Sequence, residues 1–210
     1  MDPCQRLLLE RSYAALHKAN MGRWALSGSL TGVFVGFAGT EFAQLLAASP
    51  AGASVYAATG STASIACGRL SYALGLHGPC ASYDTACSAA LAASHAALRA
   101  LQLSECITGV ACGVTLMLAR GVGTSGAVAG MTAARGRSHT FDARADGYAR
   151  GEACGGIVMR RNDQGVELGV RGSAVRQDGR SASLTAPSAQ AQPGVLAAAL
   201  DAGRASAPAP

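Results

Sequence analysis

The chain has 210 residues, half of them hydrophobic, and carries 17 Lys and Arg against 12 Asp and Glu, a net charge of +5. This length suits one domain or part of a larger one, and the hydrophobic share is enough for a substantial core. There is no apolar run of the ~18 residues that a membrane span needs, no signal peptide, and no clustering of basic residues with aromatics. These features argue against a membrane or nucleic-acid partner and favour a soluble, cytoplasmic protein.

Helix-like and strand-like segments alternate along the chain and are separated by glycines, which favours an α/β fold. The first segment, 5–19, predicts an amphipathic helix with core-facing Leu7, Leu8, Tyr13, Ala15 and Leu16. The remaining predicted elements are, in chain order, a strand at Thr31–Phe37, a helix at 61–74, a strand at Cys80–Tyr83, a helix at Ala89–Gln102, a strand at 106–114, a glycine-rich stretch at 121–130, a polar loop at 135–152, a hairpin of 155–161 and 166–174 turning at 162–165, a loop through Pro187 and Pro193, a helix at 195–201, and a disordered tail at 204–210.

Seven cysteines are spaced irregularly, at positions 4, 67, 80, 87, 106, 112 and 154, and none forms a CxxC pair. This spacing argues against both a disulfide framework and a zinc site. Most of these cysteines are therefore expected to be small buried hydrophobes.

Cys87 is the exception, because it stands between a strand-like run and a helix of small residues. At a helix N-terminus, unpaired backbone N–H groups and the helix dipole favour a thiolate and can bind an oxyanion. The pattern therefore predicts a nucleophile. The helix that follows, 89–98, has almost no polar face and is expected to be buried on all sides, between two sheets.

Several blocks of sequence, in order, resemble the β-ketoacyl synthase family. The nucleophile block GPCASYDTACSAAL (78–91) is one, and MDPCQRLLLE (1–10) is similar to the family's MDPQQR-LLLE helix. The others are ACGRLSYALGLHG (66–78), RSHTFDARADGYARGEACGG (137–156) and QDGRSASLTAP (177–187). These blocks are more similar to the motifs of ketosynthase domains of modular polyketide synthases than to those of free-standing fatty-acid enzymes.

The resemblance implies a thiolase-like, layered αβαβα fold, with residues 1–203 as a partial domain and 204–210 as a tail outside it. It implies that Cys87 accepts an acyl group from the phosphopantetheine arm of an acyl carrier protein, with its own backbone N–H in an oxyanion hole. Decarboxylative Claisen condensation with a malonyl-type extender would follow, with no metal or redox cofactor bound. Thr185 would border the acyl pocket, and Cys80–Tyr83 would pair across the two-fold axis of a homodimer.

The chain departs from the family in its histidines. The family uses histidines in His-Gly-Thr-Gly-Thr and Asn-x-Gly-His motifs, with a lysine between them, all downstream of the block that ends at Pro187. Neither motif occurs in the sequence, and its four histidines match no catalytic position: His17, His77, His95 and His139. His95 follows Cys87 by two helical turns, about 12 Å of rise, which is too far for a general base. We therefore expect a fragment, or a truncated gene, of a ketosynthase.

Other interpretations stay open at this stage. The stretch GVGTSG (121–126) fits the dinucleotide fingerprint GxGxxG, although the helix after it is broken by Gly130. Asp142, Asp146 and Glu152 suggest a carboxylate pair or a cation site, against which stands loop anchoring through Arg144 and Arg150. The alternative to an enzyme is a catalytically incompetent protein that dimerises or binds carrier protein.

Overall fold

The structure is a computed structural model that describes residues 1–37, 41–161 and 168–205. The chain divides into two compact units, Met1–Met159 and the chain from Arg160 onward. The strands are β1 (Thr31–Phe37), β2 (Cys80–Tyr83), β3 (Thr108–Thr115) and β4 (Ala153–Arg160). The helices are α1 (Pro3–Lys18), α2 (Arg23–Leu26), α3 (Glu41–Ala47), α4 (Ala57–Ser61), α5 (Ala63–Leu74), α6 (Ala89–Gln102), α7 (Arg120–Val128) and α8 (Gln192–Ala205).

The first unit is built on a sheet in the order β2-β1-β3-β4. Both β2 and β3 run parallel to β1, with Val33 opposite Cys80 and also opposite Val110. Parallel neighbours need helical crossovers, which α3 to α5 and α6 supply. The predicted α/β class is confirmed.

The two faces of the sheet differ in the size of their side chains. On one face, Val33, Val35 and Phe37 of β1 pack with α1 and α5. On the other, Phe34 of β1 and Ala111 of β3 pack with the alanines of α6. Alternating residues thus supply two cores, so the central strands are buried on both faces.

Helix α6 is buried on one face and exposed on the other. Ala93 and Ala97 are fully buried against the sheet, whereas Leu91 is 75% exposed. The prediction of burial on all sides is therefore wrong for the described residues of the first unit, in which one sheet lies between two helical layers. A helix that is apolar on every side can be buried on every side, but its sequence does not supply the second layer that would cover the outer face.

Helix α1 begins as its sequence suggests, with Asp2 accepting a hydrogen bond from the Cys4 N–H at 2.7 Å and Pro3 in the first turn. Its predicted core face is corrected at one position. Tyr13 is 39% exposed, while the neighbouring Ser12 is buried because its hydroxyl has a polar partner, the Cys112 thiol.

Other boundaries also differ from the prediction. The predicted 61–74 helix is α5 alone, starting at Ala63, with α4 ending at Ser61 before it. The short helices α2, α3, α4 and α7 were not predicted. None of the helices in the described part of the chain has the length and apolar character needed to cross a bilayer.

The described residues of the second unit, which include α8, correct three expectations. Pro193 lies in the first turn of α8 rather than in a loop, since a proline there removes no helical hydrogen bond. Arg204 and Ala205 are helical and not part of a tail. Residues 168–174 form no strand, and Leu168 is 85% exposed; alternation of apolar residues marks a face but supplies no partner strand. The predicted turn at 162–165 and the tail residues 206–210 lie outside the described residues.

Candidate active site

Cys87 lies where the sequence predicts it, between a strand and a helix. Strand β2 ends at Tyr83, a single turn of 3-10 helix covers Ala86–Ser88, and α6 begins at Ala89. The unpaired N–H groups of the first turn of α6 are therefore close to Cys87 in the chain. The role of Cys87 as a nucleophile stays a prediction.

The turn that carries Cys87 is held by its own hydrogen bonds. Asp84 Oδ1 accepts from the Ala86 N–H at 3.1 Å. The Ser88 hydroxyl donates to the Thr85 carbonyl oxygen at 2.8 Å. Ala86 has a φ of +52°, a conformation that non-glycine residues rarely adopt and that the surrounding bonds must maintain. The thiol is thus placed by a short, strained and internally bonded turn.

Two glycines of the sheet bring the start of α6 against the strands. A Cβ at Gly36 would lie 2.5 Å from the Ala90 nitrogen, and one at Gly113 would lie 2.8 Å from the Ala90 Cβ. Any side chain at Gly36 would collide with helix backbone. The absence of side chains here therefore sets the height of Cys87 above the sheet.

Burial separates the cysteines into two groups. Cys80 and Cys87 are exposed, and the other five are buried or partly buried. Burial raises the pKa of those five thiols, to about 11 for Cys112 and about 12 for Cys4. The Cys112 thiol also shares a hydrogen bond of 3.0 Å with Ser12 Oγ. The expectation that most cysteines are buried is confirmed, and Cys87 is one of two exposed thiols.

Cys87 lines a cleft of about 820 Å³ within the first unit, a volume typical of sites for small molecules. Much of its wall is apolar, with side chains from β1, α3, the segment after β3, α7 and β4: Phe37, Phe42, Leu116, Leu118, Val122 and Ile157. The cleft can therefore accept an apolar chain next to the thiol.

Glu41 and Arg150 are the charged pair of this cleft. Glu41 Oε1 accepts from Arg150 Nη2 at 3.2 Å, and Glu41 Oε2 accepts from the Ala119 N–H at 2.6 Å. Burial alone would raise the pKa of Glu41. The hydrogen bonds from Ala119, Arg150 and the Leu118 N–H, with the positive charge of Arg150, outweigh burial and lower it.

The sequence did not point to this pair. Glu41 and Arg150 stand 109 positions apart, and neither belongs to a motif with a known ligand. One signal was available for Glu41: a carboxylate is favoured in the first turn of a helix. It was not usable because the helix itself, α3, was not predicted. Only the fold brings the two together.

The acidic residues of the polar loop do not converge on one point. Asp142 binds Arg144 through both oxygens, at 2.9 and 2.6 Å, and Glu152 Oε1 accepts from the Met117 N–H at 2.8 Å. In the described ranges, no group of three metal-ligating side chains is found. Loop anchoring is the better interpretation, although Arg150 anchors to Glu41 rather than to a residue of this loop.

The glycine-rich stretch also differs from a nucleotide-binding loop. Gly121, Gly123 and Gly126 lie inside α7, whereas the dinucleotide fingerprint needs them in the turn before a helix. The fingerprint interpretation is therefore wrong.

The four histidines all lie in described segments, and none of them lines the Cys87 cleft. His95 is half-buried within α6. His17 is on α1, with its ring centroid 6.3 Å from that of Tyr13. That none of these residues is a general base for Cys87 stays a prediction.

Thr185, the predicted substrate contact, belongs to the second unit. It lies in a loop, 177–187, that surrounds a cavity of about 500 Å³, and its hydroxyl is 3.5 Å from that of Ser183. Its role stays a prediction.

Known proteins match both the sequence and this geometry. Residues 1–165 match the family described as "Beta-ketoacyl synthase, N-terminal domain". A phenolphthiocerol/phthiocerol polyketide synthase of Mycobacterium tuberculosis is 43% identical over 97% of this chain, and polyketide synthase GfsB of Streptomyces halstedii is 44% identical over 95%. The chain spans 14% and 4% of those two proteins.

Solved structures agree on the fold. The ketosynthase from module 6 of the bacillaene synthase of Bacillus subtilis 168 superposes with a TM-score of 0.84 at 31% identity, over 93% of this chain and 34% of that one. The oxazolomycin ketosynthase domain of Streptomyces albus JA3453 gives 0.86 at 31% identity, over 97% and 37%. These matches confirm the predicted thiolase-like fold, represented by its first half. The chain therefore belongs to the β-ketoacyl synthase family, whose N-terminal domain it matches over residues 1–165.

Proposed function

We propose that this chain carries the acyl-accepting half of a polyketide ketosynthase, with Cys87 as the nucleophile. The observation that carries the proposal is the position of Cys87, an exposed thiol just before a helix N-terminus and facing a largely apolar cleft. A thiol suits acyl transfer because a thioester forms easily and is readily attacked. The names of the relatives, polyketide synthases, favour a polyketide over a fatty-acid product.

The first step is a thioester exchange. The Cys87 sulfur attacks the carbonyl carbon of an acyl group held on the phosphopantetheine arm of an acyl carrier protein. The carbonyl oxygen becomes an oxyanion that backbone N–H groups at the start of α6, including that of Cys87, stabilise. The bond from carbon to the phosphopantetheine sulfur then breaks, and that sulfur takes the proton lost by Cys87. An acyl-Cys87 thioester and a free carrier thiol result.

The second step is condensation. A malonyl-type extender on a carrier protein loses carbon dioxide, and the resulting carbanion attacks the acyl-Cys87 carbonyl carbon. The bond from that carbon to the Cys87 sulfur then breaks, which leaves a β-ketoacyl thioester on the carrier protein, and the released Cys87 thiolate takes a proton from water. Neither step requires a bound metal or redox cofactor in this proposal. The histidines and lysine that the family's chemistry also uses lie downstream of the block ending at Pro187. For the 210 residues of this chain we therefore propose only the loading step.

A role in dimerisation is a second proposal, favoured by one observation. Strand β2 lies at the end of the described sheet and Cys80 on it is exposed, which leaves one strand edge available for pairing. The same strand of a second copy would extend the sheet across a two-fold axis. Analytical ultracentrifugation that finds only monomer at micromolar concentration would contradict this role.

The loading step is tested with a purified acyl carrier protein that carries an octanoyl group. We expect peptide mass spectrometry to find the octanoyl adduct on the Cys87 peptide of the wild-type chain and of C80A, and no adduct in C87A. C80A is the matched control because Cys80 is the other exposed thiol. A chain that is folded by circular dichroism and forms no adduct at Cys87 would refute the proposed function.

A further inference from the structure

We propose that Glu41 is a positioning residue that fixes one wall of the Cys87 cleft, through the Ala119 N–H and the Arg150 guanidinium, and thereby controls the fit of the acyl chain. The inference rests on the proposed function, since it assigns the cleft to the acyl group. It concerns the shape of the cleft and not the chemistry of the thiol.

The first argument is the burial of charge. The Glu41 side chain is 7% exposed and that of Arg150 is 23% exposed. A buried carboxylate is tolerated only when its oxygens are paired. Glu41 uses one oxygen for Arg150 at 3.2 Å and the other for the Ala119 N–H at 2.6 Å. Both bonds are therefore needed to keep the carboxylate in place.

The second argument is what these bonds hold together. Glu41 begins α3, Ala119 immediately precedes α7, and Arg150 belongs to the long loop before β4. A second carboxylate, Glu152, accepts from the Met117 N–H at 2.8 Å. Hydrogen bonds from its backbone N–H groups, including those of Met117 and Ala119, thus attach the segment between β3 and α7 to side chains from other parts of the chain.

The third argument is where the attached segment lies. Leu116 and Leu118 of this segment line the cleft, as do Glu41, Arg150 and Cys87. In contrast, the turn that carries Cys87 is held by Asp84, Thr85 and Ser88, none of which contacts Glu41 by hydrogen bond. Loss of the Glu41 carboxylate should therefore change the wall and leave the thiol in place.

The test compares a small and a long thiol reagent on the 210-residue chain. Iodoacetamide needs only an accessible Cys87, whereas N-octylmaleimide must also place an apolar chain in the cleft. For E41Q we expect unchanged alkylation of Cys87 by iodoacetamide and about tenfold slower alkylation by N-octylmaleimide, since a wall displaced by about 1 Å can cost up to about 100-fold. The E10Q variant is the matched control, because Glu10 is in an exposed ion pair with Arg6 on α1.

A role of Glu41 in stability alone would give a different result. The proposal would be overturned if E41Q reacted with both reagents at the wild-type rates, or if its rates with both reagents fell by the same factor. Labelling of the buried Cys112 in the same sample reports on global unfolding. If E41Q fails to fold, G123A serves instead, because a Cβ at Gly123 would lie 3.0 Å from Arg150 Nη1 and displace the guanidinium, while alanine inside α7 favours the helix. Alkylation of Cys87 by N-octylmaleimide should be slower in G123A than in wild type, whereas the midpoint of unfolding should not fall.

Acylation provides a second, separate measurement. With octanoyl- and acetyl-pantetheine as acyl donors, single-turnover acylation of Cys87 is measured against donor concentration. For the octanoyl donor, E41Q should raise the concentration that gives half the maximal rate and retain the maximal rate; for the acetyl donor, both values should be unchanged. Absence of any acylation in the wild type would refute the proposed function, while the alkylation rates would still decide whether Glu41 shapes the cleft.

Discussion

Substitution of Gly36 by alanine tests the contact that sets the position of Cys87. The new Cβ would lie 2.5 Å from the Ala90 nitrogen and 2.6 Å from the Ala89 carbonyl carbon. Because ordinary contact begins near 3.5 Å, the helix start must move by about 1 Å. The atoms in the way are backbone, so no side-chain rotation relieves the overlap.

Two effects of different size follow from this displacement. Overpacking of this kind costs about 1–3 kcal/mol, and we expect about 3 kcal/mol because the obstacle is rigid. Cys87 stands two residues before Ala89 and should move with the helix. A displacement of about 1 Å at a reacting group can reduce its rate by up to about 100-fold, so acyl loading should fall more steeply than stability alone would explain.

The assay combines urea unfolding with acylation of Cys87. Circular dichroism is the suitable probe, because the only tryptophan, Trp24, is 95% exposed and reports little on the core. Gly68 is the matched control: it lies within α5 and a Cβ there would meet nothing within 4 Å, so G68A should gain about 0.5–1 kcal/mol. Wild-type stability and wild-type acylation in G36A would refute the reasoning about the helix contact.

Three further predictions concern the same region. Since a Cβ at Gly113 would meet Ala90 Cβ at 2.8 Å, G113A should cost about 1 kcal/mol in wild type and less in an A90G background; additive urea-unfolding free energies would contradict this. The Glu41 pKa is lowered on folding, so its contribution to stability is present above its unfolded value near 4.5 and is lost as the pH falls through the folded pKa; E41Q should be about 2 kcal/mol less stable than wild type at pH 7, and the gap should close on acidification. Thiol labelling of the native chain at pH 8 should modify Cys80 and Cys87 first and reach the buried thiols only on unfolding, a pattern read by peptide mapping; early labelling of Cys112, whose pKa is raised by burial to about 11, would contradict it.

Much of the fold could be predicted because its signals are local. The bounds of β1 and α6 agree with the prediction to the residue. A run of β-branched and aromatic residues favours a strand and a run of helix formers favours a helix, and both preferences are local. The short helix α3 and the start of α8 were missed, because helices of a few turns depend on packing more than on propensity. The strand predicted over 166–174 failed at the residues described because alternation does not provide a partner.

The candidate site divides in the same way. Cys87 could be identified from a strand, a turn and a helix that follow one another in the chain, and the structure has all three in that order. The Glu41–Arg150 pair could not, since its members are distant in sequence and a charged residue carries no sign of its partner. The partner of Glu152 could not be predicted for the same reason, because Glu152 accepts a hydrogen bond from a backbone N–H that no side-chain pattern reveals.

By itself, the sequence determined the longer elements such as β1 and α6, the thiol between β2 and α6, and the small residues that follow that thiol. These properties are encoded within one or two turns of chain, where spacing and residue size decide the outcome. Only the tertiary structure decided that Gly36 and Gly113 lie directly under Ala90, that Cys87 is exposed while most other thiols are buried, and that Glu41 and Arg150 meet at the wall of the cleft. Those outcomes depend on contacts between distant segments, which form only when the sheet and its helices assemble.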